Sequence, residues 1–252
     1  MDTSIEKIQS FYDEFWLNSD NRPLSHIAYH RVMRKLRLIL EMLDTAEGIA
    51  LEIGCGEGDL TIAFKDKVGL LISCDISRAG VKRAINKVGK RVEFVLCDAM
   101  NLPFRDDSVT TIILSEVLEH LYDKPRSLTE IKRVLAGSGK LILTTPNKFH
   151  INMQKLVHRI LRKPYIQPQY FDEPLLPCCL RTLIATSFNI RMDVGIDFSV
   201  AYFEKIPLPW LQKLQIFLSE FFEGKKIFQW LALYQCLLCV PKSKQRLLKK
   251  EN

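Results

Sequence analysis

The run Leu51-Glu52-Ile53-Gly54-Cys55-Gly56-Glu57-Gly58-Asp59-Leu60 decides the fold. It joins an apolar stretch, Ile49 to Gly54, to a segment of helical spacing from Asp59 to Lys67. Glycines at such a junction let the backbone turn tightly and let a ligand approach without interference from Cβ atoms. The free N–H groups of a following helix favour an anionic group such as a carboxylate. The spacing is G-x-G-x-G, not the G-x-G-x-x-G of dinucleotide binders, which disfavours a nicotinamide-dependent oxidoreductase.

On either side of this junction, alternating and helical patterns follow one another. Strands are expected at Gly69–Asp75, Val92–Asp98, Val109–Ser115 and Lys140–Pro146, with helices at Arg78–Val88 and Pro125–Leu135. The last helix has proline in its first turn and Gly137 just past its end. Strands alternating with helices at this spacing give βαβ units and, with right-handed crossovers, a doubly wound, mostly parallel α/β sheet. Ligands in such folds sit outside the carboxyl ends of the strands. Asp75 ends the second strand, where a carboxylate can accept both hydroxyls of a ribose. Asp98 ends the third, followed by Ala99 and Met100, where it can accept an adenine amino group beside apolar walls. Either aspartate alone could be a helix N-cap, but the two at successive strand ends point to a nucleoside site.

Upstream, Ile5, Ile8, Phe11, Tyr12, Phe15 and Trp16, then Val32, Leu36, Ile39, Leu40 and Leu43, recur at helical spacing on either side of Arg22-Pro23. A single domain over 1–252 is expected. Residues 1–45 form a helical cap and 46–147 a core. Residues 148–228 form lid insertions that include a sixth strand, 229–241 hold the last strand, and 242–252 are a basic tail.

The 252 residues are 47% hydrophobic and 26% charged, which excludes disorder, collagen and coiled coil. The polar start at Met1-Asp2-Thr3-Ser4 has no apolar core of a signal peptide. The longest nearly uncharged stretch, Ile227–Val240, falls short of the ~20 residues that span a bilayer. Seven scattered cysteines show neither a disulfide framework nor zinc spacing, and Cys236-Leu-Leu-Cys239 reads as buried strand. A soluble, cytoplasmic protein in a reducing compartment is the expectation. Residues 1–150 hold 21 basic and 21 acidic residues, whereas 151–252 hold 15 and 8, so the net charge of +7 lies entirely in the last hundred residues.

Glu52-Ile-Gly-Cys-Gly-Glu-Gly, Asp75, Cys97-Asp98-Ala99 with Leu102-Pro103-Phe104, Glu116-Val-Leu-Glu-His120 and Gly139-Lys-Leu-Ile-Leu-Thr-Thr-Pro together resemble class I S-adenosylmethionine-dependent methyltransferases, most closely the small-molecule type 11 group. The resemblance is strong over residues 48–147. It implies a seven-stranded Rossmann-like sheet, with Cys178–Phe188 before the sixth strand and Leu231–Val240 in the seventh. It also implies that Gly54, Cys55, Gly56 and Gly58 carry the methionine end of S-adenosylmethionine and that Glu52 supports the loop. Asp75 and Ile76 would hold the ribose, Asp98, Ala99 and Met100 the adenine, and Ser115 would lie beside the sulfonium. The implied reaction is in-line methyl transfer to a small, hydrophobic or lipid-linked acceptor. The alternative is a catalytically silent binding protein on the same fold.

Catalysis is expected on Ser115-Glu-Val-Leu-Glu-His-Leu121, with His120 as general base. Glu116, Glu119 and His120 also resemble the E-x-x-E-H pattern of ubiquinone-biosynthesis O-methyltransferases, which implies a Mg²⁺ site there and places Arg31 against the cofactor carboxylate. Nucleic acid is not an expected partner, because the fourth strand lacks an N-P-P-Y-like motif. The chain should be a monomer or a dimer.

Two segments should shape the acceptor side. Residues 148–177 contain a helix patterned by Phe149, Ile151, Met153, Leu156, Val157, Ile160 and Leu161, with Lys155, Arg159, Arg162 and Lys163, then a proline-rich loop with Tyr165, Tyr170 and Phe171. Residues 198–228 carry Trp210, Leu214, Phe217 or Leu218, and Phe221 in one stripe, with Lys225 and Lys226 nearby. Such a stripe is either a lid packed on the domain or the wall of a greasy pocket, or a contact with a membrane surface.

Overall fold

A computed structural model describes residues 5–17, 26–44, 46–162, 172–197, 208–223, 225 and 229–242. The Arg22-Pro23 break, the aromatic loop with Tyr165, Tyr170 and Phe171, Lys226 and the tail beyond Lys242 lie outside these residues. Two helices lead, α1 (Ile5–Leu17) and α2 (His26–Leu43). The core follows as β1 (Ala46–Ile53), α3 (Thr61–Phe64), β2 (Val68–Asp75), α4 (Arg78–Val88), β3 (Glu93–Leu96), β4 (Val109–Ser115), α5 (Lys124–Val134) and β5 (Leu135–Pro146). The rest is α6 (Lys148–Ile160), α7 (Pro177–Ile184), β6 (Phe188–Ile196), α8 (Pro209–Phe222) and β7 (Tyr234–Pro241).

The sheet runs β3-β2-β1-β4-β5-β7-β6. The strands from β3 to β5 pair in parallel, and β7 is antiparallel to both β5 and β6. Successive side chains of a strand point to opposite faces, and both faces are covered. Leu51, Ile53, Ile112, Leu114, Leu141 and Leu143 pack with Leu128, Ile131 and Val134 of α5 and Leu180 and Ile184 of α7. Ala50, Leu71, Ile113 and Ile142 pack on the other side with Ile39, Met42 and Leu43 of α2 and with Phe64 and Val88. Cys236 and Cys239 are three positions apart on β7, so the strand sends them to opposite cores. They cannot act as a dithiol pair there, in keeping with the buried-strand reading.

Three expected elements differ in extent. The helix expected over Asp59–Lys67 is a single turn, Thr61–Phe64, closed by a turn in which Lys67 N donates to Phe64 O before β2 begins at Val68. The third strand spans only Glu93–Leu96, since Asp98 already turns back to bridge Asn101. Gly137 does not terminate α5. That helix ends at Val134, and the chain enters β5 at Leu135 with an irregular register opposite Val109–Thr111. Side chains cap two of the helices: Ser77 accepts from Gly80 N at 3.0 Å, and Asp123 from Arg126 N at 3.0 Å.

Candidate active site

Parallel strands bring the ends of β1, β2, β3 and β4 to one edge, and a cavity of 340 Å³ opens there. The turn after β1 folds back on β2: Gly54 N and Cys55 N both donate to Cys74 O, at 2.7 and 3.0 Å. Gly54, Gly56 and Gly58 all have positive φ, at +77°, +52° and +85°. Side chains at these positions would meet three different neighbours. A Cβ on Gly54 would lie 2.2 Å from Val117, one on Gly56 2.5 Å from the Trp16 ring, and one on Gly58 2.7 Å from Val88. Gly54 and Gly56 line the cavity, whereas Gly58 packs against α4 and does not line it.

Asp75 is almost buried and fixes this loop. One of its carboxylate oxygens accepts from Gly56 N at 2.8 Å and the other from Ser77 N at 2.8 Å. Burial pushes its carboxyl above the ordinary value, and those two N–H donors pull it back. Glu52 sits beneath the loop and accepts from Thr61 Oγ1 at 2.6 Å and from Ser73 Oγ at 2.7 Å. Its burial raises the carboxyl to about 7 despite those two bonds. Asp98 accepts from Met100 N at 3.0 Å, and partial burial raises it too. Glu52, Cys55, Asp75, Ile76, Asp98, Ala99, Met100 and Ser115 all line the cavity.

At the end of β4 the chain makes a strained step. Glu116 has φ +57°, and its backbone N donates to Thr144 O of β5 at 2.9 Å. Its carboxylate accepts from Thr144 Oγ1 at 2.8 Å, and Ser115 Oγ lies 2.9 Å from the same hydroxyl. Lys35 Nζ of α2 stands 3.7 Å from the Glu116 carboxylate. A 3₁₀ turn, Leu118–His120, then brings His120 to the cavity wall. Glu119 points the other way. It is buried outside the cavity lining, accepts from Thr145 Oγ1 at 2.9 Å, and lies 3.7 Å from His120 Nε2. Desolvation, and secondly the nearby Glu116, push its carboxyl well up.

The residues expected to hold Mg²⁺ do not fit that role. Glu116 and Glu119 are each engaged by a different threonine of β5. Among the described residues no three His, Cys, Asp or Glu side chains converge on one point. Arg31 likewise is not in the cavity wall. Its guanidinium pairs with Asp197, just past β6, so the carboxylate it meets belongs to the protein.

One wall of the cavity has no counterpart among the expected site residues. Ile8, Tyr12, Phe15 and Trp16 of α1 face the glycine turn. The helix is fastened by Asp13, which accepts from Ser77 Oγ at 2.6 Å and Ala79 N at 2.8 Å at the start of α4. The Tyr12 ring meets His120 at 6.4 Å between centroids. The Tyr12 hydroxyl is buried with no hydrogen-bond partner among the described residues. Desolvation, then Asp75, keep it protonated as a donor. The only sequence signal for this wall was the density of aromatic residues on α1, which periodicity alone assigns to a core.

Sheet order, glycine turn and strand-end carboxylates give an α/β domain of the kind found in class I S-adenosylmethionine-dependent methyltransferases. Residues 51–143 match the family described as "Methyltransferase domain", of the type 11 group. A probable S-adenosylmethionine-dependent methyltransferase of Mycobacterium tuberculosis is 38% identical over 101 residues, which are 39% of this chain and 35% of that protein. A demethylmenaquinone methyltransferase of Lactiplantibacillus plantarum is 30% identical over 147 residues, 55% of this chain and 62% of that protein. The chain thus spans about a third to three fifths of the length of these relatives. A Haloferax volcanii putative methyltransferase, solved with the Trm112 methyltransferase activator, shares the fold with a TM-score of 0.64 at 16% identity, covering 92% of this chain and 96% of that one.

Proposed function

We propose that the chain transfers the methyl group of S-adenosylmethionine to a small, hydrophobic acceptor, and that its cavity holds both. The observation that carries this reading is one cavity lined by Gly54, Gly56, Asp75 and Asp98 at one end and by Glu116 and His120 at the other. The residues suit the cofactor. The positive-φ glycines let the turn pass close to Val117 and Trp16 while Gly54 and Gly56 still line the cavity, and two carboxylates stand where hydroxyl and amino donors would need acceptors. S-adenosylmethionine supplies an electrophilic methyl group with a neutral thioether as its leaving group. Asp75 and Asp98 orient the nucleoside, and the apolar faces of Ile8, Phe15 and Leu121 exclude water from the reacting atoms. His120 accepts a proton at an imidazole nitrogen from the acceptor heteroatom as that atom is methylated. Tyr12 on the α1 wall is a hydrogen-bond donor and orients the acceptor.

The apolar lining favours a greasy or lipid-linked acceptor, as does the likeness to a demethylmenaquinone methyltransferase. The experiment has two parts. Calorimetric titration with S-adenosylhomocysteine should give micromolar-scale binding, and a folded sample that gives none refutes the cofactor. In turnover on an acceptor that the wild type methylates, His120→Ala should lower kcat about 10²–10⁴-fold with cofactor affinity unchanged within a few-fold. Full activity of that variant would leave alignment and desolvation as the whole mechanism.

A further inference from the structure

Two helices of this protein present their apolar sides to solvent. On α6, Phe149, Met153, Leu156 and Ile160 are 38%, 43%, 49% and 69% exposed. On α8, Trp210, Leu214, Phe217 and Phe221 are 62%, 40%, 60% and 53% exposed. Both sets follow the spacing i, i+4, i+7, i+11, which makes each a continuous stripe along one helix face. An amphipathic helix on a globular domain normally buries that stripe. Here the inward sides are largely polar. The buried positions are His150 and Ile151 on α6, and Leu211, Gln215 and Ser219 on α8.

The two helices are rooted at one end of the sheet. Asn147 caps α6 through Phe149 N at 2.9 Å, and its amide donates to Trp230 O at 2.8 Å and Ala232 O at 2.9 Å. Ser219 of α8 donates to Asp197 Oδ1 at 2.9 Å, and Asp197 O accepts from Leu233 N at 2.7 Å. The short segment before β7 therefore ties both helices to the same edge, and it adds Trp230, 43% exposed.

Charge selects the occupant. Residues 148–162 hold Lys148, Lys155, Arg159 and Arg162, and no aspartate or glutamate. On α8 the one acidic residue, Glu220, lies 3.5–3.6 Å from His30 and Arg34 of α2. Lys225 sits 3.4 Å over the Phe221 ring, the arrangement of a cation at the edge of an apolar face. Aromatic and aliphatic stripes bordered by a basic run without acidic residues match the boundary between acyl chains and anionic headgroups. A phosphate backbone would use the charge but leave the stripes in water.

We propose that α6 and α8 form a docking face for an anionic lipid bilayer. The proposal stands apart from the methyl-transfer reading, since none of these residues lines the cavity. It is tested by sedimenting the full chain with vesicles of phosphatidylglycerol and phosphatidylcholine and with phosphatidylcholine alone. The chain should pellet with the mixed vesicles and bind at least tenfold more weakly to the neutral ones. Phe217→Glu with Trp210→Glu should weaken binding to the mixed vesicles at least tenfold, and so should Lys155→Glu with Arg159→Glu. Circular dichroism and S-adenosylhomocysteine affinity should stay as in the wild type. Absence of pelleting with the mixed vesicles overturns the proposal. So does loss through the lysine and arginine variants alone, accompanied by RNA binding of similar strength, which would mark a polyanion surface. A wild-type chain that self-associates through Phe217 and Trp210 and does not pellet would assign the face to a second copy instead.

Discussion

Asp75 is a scaffold residue that, on the proposed function, is also a binding group. Its two carboxylate oxygens each accept a backbone N–H, one from the glycine turn and one from the start of α4. Only an acid can do this, because an asparagine would present an amide donor to one of those N–H groups. Each oxygen still has a second lone pair for a ligand hydroxyl. Asp75→Asn is therefore not conservative. It should cost about 1–3 kcal/mol of stability by leaving a buried N–H unpaired. It should weaken S-adenosylhomocysteine by about 2–4 kcal/mol, since charged hydrogen bonds are the strong ones. Urea unfolding and calorimetric titration read the two effects separately. Unchanged affinity in a destabilised variant would reduce Asp75 to a purely structural acceptor.

At the scale of elements, α1 covers the cavity, and Asp13 helps to fasten it there. Asp13 reaches from α1 to the start of α4 and serves the Ser77 hydroxyl and the Ala79 N–H together. Asp13→Ala should cost about 1–2 kcal/mol, the value of a lost helix cap. Because Trp16 lies against Gly56 and Gly80 on the same helix, the variant should also release S-adenosylhomocysteine several-fold faster. Stopped-flow dissociation measures this, and an unchanged off-rate would show that α1 does not gate the cavity. The sequence showed α1 as part of a helical cap but not its place over the glycine turn, whereas the core beneath it was legible. The glycine turn, Asp75, Asp98 and the end of β4 are local: a strand, its terminus and the next few residues carry the whole signal. The contact of α1 joins residues 64 and 66 positions apart, and no local pattern encodes it. Arg31 and Glu119, expected in the site, lie outside the cavity lining for the same reason. Their partners, Asp197 and Thr145, are set by which strands become neighbours. The stripe on α8 was legible as amphipathic, but periodicity does not say which side faces the sheet, and the side facing it holds Gln215 and Ser219.

For the whole molecule, gathering acidic side chains at one buried edge has a consequence for stability. Burial, the largest cause in each case, raises Glu52, Asp75, Asp98 and Glu119 above ordinary carboxylate values. Glu130 moves the opposite way, lowered by its bonds to Arg133, but it lies near the surface, where such pairs contribute little. The folded chain therefore keeps protons that the unfolded chain has already released, and folding takes up protons through the weakly acidic range. The resulting stability is fully present below the ordinary carboxylate values and is lost as pH rises through the folded ones, which for Glu52 is about 7. For Glu52 alone the loss between pH 5 and pH 8 should be about 2 kcal/mol. The unfolding free energy of the ligand-free protein in urea, measured at both pH values, tests this. Glu52→Gln is neutral throughout, can still accept from Thr61 and Ser73, and should flatten the profile by about that amount. Parallel profiles for the variant and the wild type would mean that Glu52 is already ionised in the fold at pH 5. The charge in the floor of the cavity would then have to be balanced by the loop above it.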